Sequence, residues 1–153
     1  MPQFTTRRRV RHAAADMFKL VADVEKYPRF VPMCSDMRVR STLEKGAGIT
    51  VLVANMTVSY KLLHQSYTSR VTLDRPNLKI DVEYLDGPFR HLLNRWVFHA
   101  VGPDVCDVEF FIDYEFRSRM LAMLMGAMFE VAFRRFAAAF EARADQVYGR
   151  KVS

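Results

Sequence analysis

Between Arg119 and Val147 the chain runs without a proline and with one interior glycine, Gly126. Ser118 stands where a helix N-cap is needed, and Gly149 stands where a glycine closes the last turn. Gly126, Phe129, Phe133, Phe136, Phe140, Ala144 and Val147 recur at steps of three and four, which puts them on one stripe of an α-helix. The opposite side is read as Arg134, Arg135, Glu141, Arg143 and Asp145. At 1.5 Å per residue such a helix is about 43 Å long, enough to cross a small domain. No other stretch has that reach, so the rest of the chain must be arranged around it.

The first third of this helix is apolar all round. From Met120 to Phe129 every residue is apolar or glycine, with Met120, Met123, Met125 and Met128 among them. A bilayer span needs about 20 such residues, so this segment is expected to be covered by protein, by a ligand or by a partner surface. Methionine is flexible and polarisable, which suits a wall that adapts to irregular apolar cargo.

What precedes the helix reads mostly as strands. Phe4 to Val10 is a first strand, His12 to Asp23 an amphipathic helix with Ala14, Met17, Phe18 and Val21 on one side, and Val24 to Pro32 a short helical or turn segment broken by Pro28 and Pro32. From Cys34 the period drops to two. Met37, Val39 and Leu43 alternate with polar neighbours up to the turn at Lys45 to Gly48, and Ile49 to Tyr60 is apolar on both faces in places. Tyr67, Val71 and Leu73, then Leu78, Ile80, Val82 and Tyr84, then Leu92, Trp96 and Phe98, mark three more strands separated by turns at Arg75-Pro76-Asn77 and Asp86-Gly87-Pro88. The last strand alternates most cleanly, with Cys106, Val108, Phe110, Ile112, Tyr114 and Phe116 on one side. Strands joined by short turns make an antiparallel meander with one apolar face. Segregated strands and helices make an α+β domain of seven strands, two short helices after the first strand, and one long helix to cover the sheet. A twisted sheet curled around one helix leaves a cavity wherever the two do not close.

Composition sets the remaining bounds. At 153 residues, half of them hydrophobic, the chain reads as one globular domain, 1–153, that needs neither disulfide nor metal. Cys34 and Cys106 are too few for a disulfide framework or zinc site and are expected as reduced thiols. Arg7, Arg8, Arg9 and Arg11 sit in a strand-like segment rather than a transit peptide, and no run resembles a signal peptide or membrane span. A net charge of +6 and an isoelectric point near 9.6 favour anionic partners.

Catalytic motifs are missing. There is no phosphate-binding glycine loop, no nucleophile elbow and no zinc-protease motif, so the protein is read as a non-enzyme with no catalytic residues, metal or cofactor. His12, His64, His91 and His99 lack ligand spacing and are expected to be surface or structural. Asp113 and Glu115 share the polar face of the last strand and are expected to pair across strands with Arg70, Arg95 or Arg117. The predicted site is the apolar interior. Val82, Tyr84, Asn94, Trp96, Phe98, Phe110, Ile112 and Tyr114 of the sheet face Met125, Met128, Phe129 and Phe133 of the helix. Tyr84, Asn94 and Tyr114 supply hydrogen bonds for a carbonyl-bearing head.

Several stretches carry a resemblance to a known family. They are Phe18 to Pro28, Ser66 to Val71, Asp86 to Phe89 with Leu93-Asn94-Arg95-Trp96 and Phe98, Tyr114 to Ser118, and Ala139 to Ala144. Together they resemble the START-like, or helix-grip, superfamily and within it the coenzyme Q-binding protein family. Members often carry a tryptophan where Met33 stands. The resemblance implies a helix-grip fold and an internal hydrophobic cavity for a polyprenyl quinone such as ubiquinone, in support of respiration. The same family includes a bacterial ribosome-association toxin branch that binds the large subunit, and an aromatase/cyclase-type enzyme is a further variant on this fold. For the ribosomal alternative, Arg7, Arg8, Arg9, Arg38, Arg40, Arg134 and Arg135 are the candidate phosphate contacts. Expected partners are therefore an apolar lipid, an anionic membrane surface at its edge, or the large ribosomal subunit, and no DNA. The expected location is the bacterial cytoplasm, with visits to the inner face of the membrane.

Overall fold

The protein is described here from a computed structural model covering residues 3–60 and 62–149. Its elements are β1 (Gln3–Val10), α1 (Ala14–Ala22), a 3-10 segment (Val24–Arg29), β2 (Cys34–Gly46), β3 (Ile49–Tyr60), β4 (Leu63–Asp74), β5 (Lys79–Asp86), β6 (Phe89–Gly102), β7 (Val105–Phe116) and α2 (Arg119–Tyr148). Seven strands form one antiparallel sheet in the order β1-β7-β6-β5-β4-β3-β2. The meander from β2 to β7 pairs neighbours through tight turns, and β1 closes the far edge against β7. The sheet curves around α2, which makes this the expected helix-grip α+β architecture.

Local chemistry explains the best-defined elements. Ser118 caps α2, its Oγ accepting from the Leu121 N–H at 3.3 Å, and Gly149 ends the helix at φ 83°. Along β7, Cys106, Val108, Phe110, Ile112, Tyr114 and Phe116 are all buried, as their strict alternation requires. Gly87 turns β5 into β6 at φ 145°, where a Cβ would lie 2.6 Å from that of Tyr67, so the turn can press against β4 only as glycine.

One sequence expectation fails at a bulge. Leu43 was expected inward with Met37 and Val39, yet it is exposed. The register slips between Val39 and Ser41, so Thr42 falls opposite buried Leu52, and Leu43 opposes Val51 on the outer face. Val147, expected on the buried stripe of α2, is also exposed.

The helix is held unevenly along its length. Its C-terminal half is pinned by polar contacts to β1 and α1: Arg8 Nη2 to Glu141 Oε1 at 2.7 Å, His12 Nε2 to Asp145 Oδ1 at 2.7 Å, and the Tyr148 hydroxyl donating to the Asp16 carbonyl at 3.2 Å. Arg143 lies over the Phe30 ring at 5.4 Å. Glu141, Arg143 and Asp145, expected on the solvent side, thus face the protein. Near the N-terminus, Arg117 donates to the Phe89 carbonyl at 2.9 Å, and Phe129 packs among Phe89, Tyr114 and Phe116. The apolar segment itself is only partly covered. Met125, Met128 and Phe129 are buried, while Met120, Met123 and Leu124 are 70%, 83% and 51% exposed.

His12 is the one histidine drawn fully inside, at 1% exposure, with Nδ1 unpartnered and Nε2 on Asp145. Replacing Asp145 with alanine strips the imidazole of its partner. A buried polar group left unsatisfied costs about 1–3 kcal/mol. The expected result is a loss of that size in urea unfolding monitored by circular dichroism.

On the outer face the arginine partners expected for Asp113 and Glu115 are replaced by histidine. His91 meets Asp113 at 3.2 Å and Glu115 at 3.7 Å, whereas Arg70 pairs with Glu83 and Arg95 with Asp81. The β5–β6 register sets Arg95 opposite Asp81, which leaves Asp113 and Glu115 to His91 on the neighbouring strand.

Candidate functional site

Between α2 and the concave face of the sheet lies a cavity of about 90 Å³. Of the residues predicted to line it, Val82, Asn94, Trp96, Phe110, Ile112, Phe129 and Phe133 stand on its wall. Tyr84, Phe98, Tyr114, Met125 and Met128 do not. Tyr84 packs its ring on Phe89 and accepts the Phe89 N–H at 3.2 Å. Phe98 lies towards α1, 6.0 Å from the Phe18 ring. Tyr114 fills the space between Phe89, Phe129 and Phe133, and Met125 and Met128 are buried elsewhere in the core. These five point to the correct face but are consumed by packing.

The rest of the wall is made of residues outside the predicted set. The 3-10 segment and the turn after it supply Val24, Tyr27, Val31 and Met33, while β3 supplies Ala54, Met56 and Val58. Tyr67, Ser69 and Val71 come from β4, and Phe136 and Phe140 complete the α2 side. Met33 sits at φ 65°, a left-handed backbone rare for a methionine, and its carbonyl accepts the Ser59 N–H at 2.9 Å. The turn is thereby tied to the end of β3.

The polar groups of the cavity are few and neutral. The Asn94 Nδ2 donates to the Phe111 carbonyl at 2.8 Å, which braces the side chain against the neighbouring strand. The Tyr27 hydroxyl donates to the Val21 carbonyl, and the Tyr67 hydroxyl contacts the Met56 sulfur at 3.1 Å. Burial pushes both tyrosines far above their ordinary range, with the nearby Cys34 as a second cause. Ser69 is buried on the wall as well. Among the described residues that line the cavity there is no carboxylate, imidazole, amine or guanidinium. The arrangement can hold a neutral apolar molecule and offer it a few hydrogen bonds. Ligand pockets usually run to about 300–1,000 Å³, so a cargo larger than a small ring requires the wall to move.

Burial also raises both thiols, Cys34 and Cys106, from 9.0 to about 11. These thiols, with the two tyrosines, bind their protons more tightly folded than unfolded. The thiols' contribution to stability is complete below about pH 9 and is lost as pH rises towards 11, and that of the tyrosines is lost only at still higher pH. The melting temperature is therefore expected to fall steeply between those limits. At pH 8 both thiols should react with an alkylating agent about a hundredfold more slowly than in the unfolded chain, since only the thiolate attacks.

Residues 10–141 match the family described as polyketide cyclase/dehydrase and lipid transport. The chain belongs to that family. A ribosome association toxin RatA of Vibrio cholerae is 34% identical over 149 residues, covering 97% of this chain and 99% of the relative. A mitochondrial coenzyme Q-binding protein, COQ10 homolog B of Xenopus laevis, is 31% identical over 139 residues, covering 88% of this chain and 54% of the relative. The solution structure of an 18 kDa protein from Caulobacter crescentus superposes with a TM-score of 0.80 at 34% identity, covering 97% of this chain and 99% of the other. Of the two curated relatives, one is named for ribosome association and the other for coenzyme Q binding.

Proposed function

We propose that this protein holds a polyprenyl quinone such as ubiquinone, or a similar apolar lipid, in the cavity under α2 and serves respiratory electron transport as a carrier or chaperone. The observation that carries this reading is a cavity wall with no charged side chain, made of methionine, aliphatic and aromatic groups around Asn94 and Ser69. A prenyl tail has no directed groups and is held by dispersion, which such a wall supplies. A quinone head asks for one or two hydrogen bonds, and Asn94, Ser69 and Tyr67 offer them. The absence of a carboxylate, imidazole or amine among the described residues of the wall supports binding rather than catalysis. The proposed setting is the bacterial cytoplasm beside the inner membrane face. The test is organic extraction of protein purified from a ubiquinone-producing bacterium, followed by mass spectrometry. Co-purified quinone in stoichiometric proportion is the expected result. Protein that arrives empty and fails to bind added short-chain quinone would overturn the reading.

A second reading, association with the large ribosomal subunit, draws on the relative named for that activity and on a shallow groove of about 450 Å³ bearing Lys19, Lys26 and Arg143 between α1 and the end of α2. Of the candidate phosphate contacts, Arg7, Arg8, Arg9, Arg38 and Arg134 lend less, because they are engaged in ion pairs. Sedimentation with ribosomes at rising salt tests it, since phosphate contacts weaken steeply with ionic strength. Failure to co-sediment at low salt removes it.

A further inference from the structure

The exposed part of the apolar helix is not an isolated anomaly. Met120, Met123, Leu124, Ala127 and Val131 are all exposed and follow i, i+3, i+4, i+7, i+11 spacing, which is a single outward face over the first three turns of α2. The sheet register brings more apolar surface to the same end of the fold. Phe89 opposite Phe116 sets the start of β6 beside the origin of α2, and Thr68 opposite Asp86 sets the end of β5 there too. The β3–β4 turn extends past that line, because Tyr60 pairs with Leu63, five residues before Thr68. Its Leu62 is 94% exposed, and Leu85 at the end of β5 is 42% exposed. Single exposed leucines are ordinary, but a helix face and two strand ends grouped in this way are not.

Charge decides what covers this end. Arg90, Arg117 and Arg119 flank the stripe, exposed and outside any ion pair among the described residues, and Asp86 is the unpaired acid near them. The other acids of this end are engaged, Glu115 with His91 and Glu130 with Arg134. A second copy on a two-fold axis would set these arginines against themselves. RNA would satisfy the arginines and leave the methionines and leucines in water. The geometry points to an anionic phospholipid bilayer, with the α2 stripe and the Leu62 turn inserted at the acyl boundary and the arginines on headgroup phosphates.

The position fits a cargo protein, and to that extent the inference rests on the lipid reading of the cavity. The inward residues of these same turns, Phe129, Ala132 and Phe133, are cavity wall. Bilayer contact on the outer face therefore acts on the element that must shift for a prenyl tail to enter about 90 Å³. Gly126 lies within the stretch, and a Cβ there would meet nothing within 4 Å, so packing does not demand the glycine and the helix is soft at that point.

Vesicle flotation tests the assignment. The protein is expected to float with phosphatidylglycerol–phosphatidylcholine vesicles, and about tenfold less with phosphatidylcholine alone or in high salt. The triple variant Met120→Glu/Met123→Glu/Leu124→Glu should lose flotation with an unchanged melting temperature, since all three side chains point away from the core. Arg90→Glu/Arg119→Glu should weaken flotation about tenfold on anionic vesicles only. Wild-type protein that never floats, a triple variant that floats undiminished, or a triple variant that instead loses ribosome binding or self-association would overturn the proposal. Flotation by protein that arrives empty and fails to bind added short-chain quinone would sink the cargo reading and leave this one standing. Quinone-loaded protein that ignores anionic vesicles would do the reverse.

Discussion

Replacing Phe140 with alanine is expected to cost about 3–5 kcal/mol, the range for deleting a large aromatic from a packed core. Phe140 is 1% exposed and stands where the 3-10 segment, the turn after it and β6 meet the C-terminal half of α2. Its ring is 5.3 Å from Tyr27, 5.0 Å from Phe30 and 4.9 Å from Trp96, each in edge-to-face geometry. Such pairs add to area burial, so the loss exceeds that of an aliphatic of similar size. The ring also separates the 3-10 segment from β6 across the cavity, and β6 cannot move inward without breaking its pairing with β5 and β7. The void is therefore expected to stay open. For a domain this size the loss corresponds to a drop in melting temperature of about 10 °C, readable by circular dichroism. Phe140→Leu keeps much of the volume and should recover more than half of the deficit. A loss below about 1 kcal/mol for Phe140→Ala would mean that α2 is anchored by its polar contacts alone.

How far this molecule could be read from its sequence depends on which contacts are local. The bounds of α2 were legible because Ser118, Gly149 and the absence of proline act on the helix itself, and β7 was legible because one side of it is uninterrupted core. The Leu43 phase was not, since a bulge at Arg40 is a property of the β2–β3 pairing and leaves alternation in β2 looking regular. Glu141 and Asp145 looked like a solvated face. Their partners, Arg8 and His12, lie 133 residues away, and no periodicity reports that distance. The site divides in the same way. The inward faces of β5, β6 and β7 were read correctly, but alternation says which side a residue takes and not how far along a curved sheet the helix closes on it. Tyr84, Phe98 and Tyr114 therefore meet packing where Trp96 and Ile112 meet space. Met56 and Val58 escaped notice because β3 is apolar on both faces, which hides its phase. Tyr27 and Met33 escaped because Pro28 and Pro32 erase any period around them.

Filling the cavity from the helix should separate cargo from scaffold. Ala132 is buried on α2, one residue from exposed Val131, and its methyl group is part of the cavity wall between Phe129 and Phe136. A phenylalanine at this position projects its ring into about 90 Å³ of existing space rather than into packed atoms. The change removes no hydrogen bond and buries no polar group, so its energetic effect is limited to imperfect fit, about 1–3 kcal/mol at most. The same ring takes the volume that a quinone head would need beside Asn94 and Trp96. Ala132→Phe is therefore expected to fold, to melt within about 10 °C of the parent, and to yield at least tenfold less co-purified quinone per mole of protein. Vesicle flotation should be unaffected, because the outward stripe at Met120, Met123 and Leu124 is untouched. A folded Ala132→Phe protein that still carries its full quinone load would place the cargo outside this cavity, and an apolar wall free of charge would then be core and nothing more.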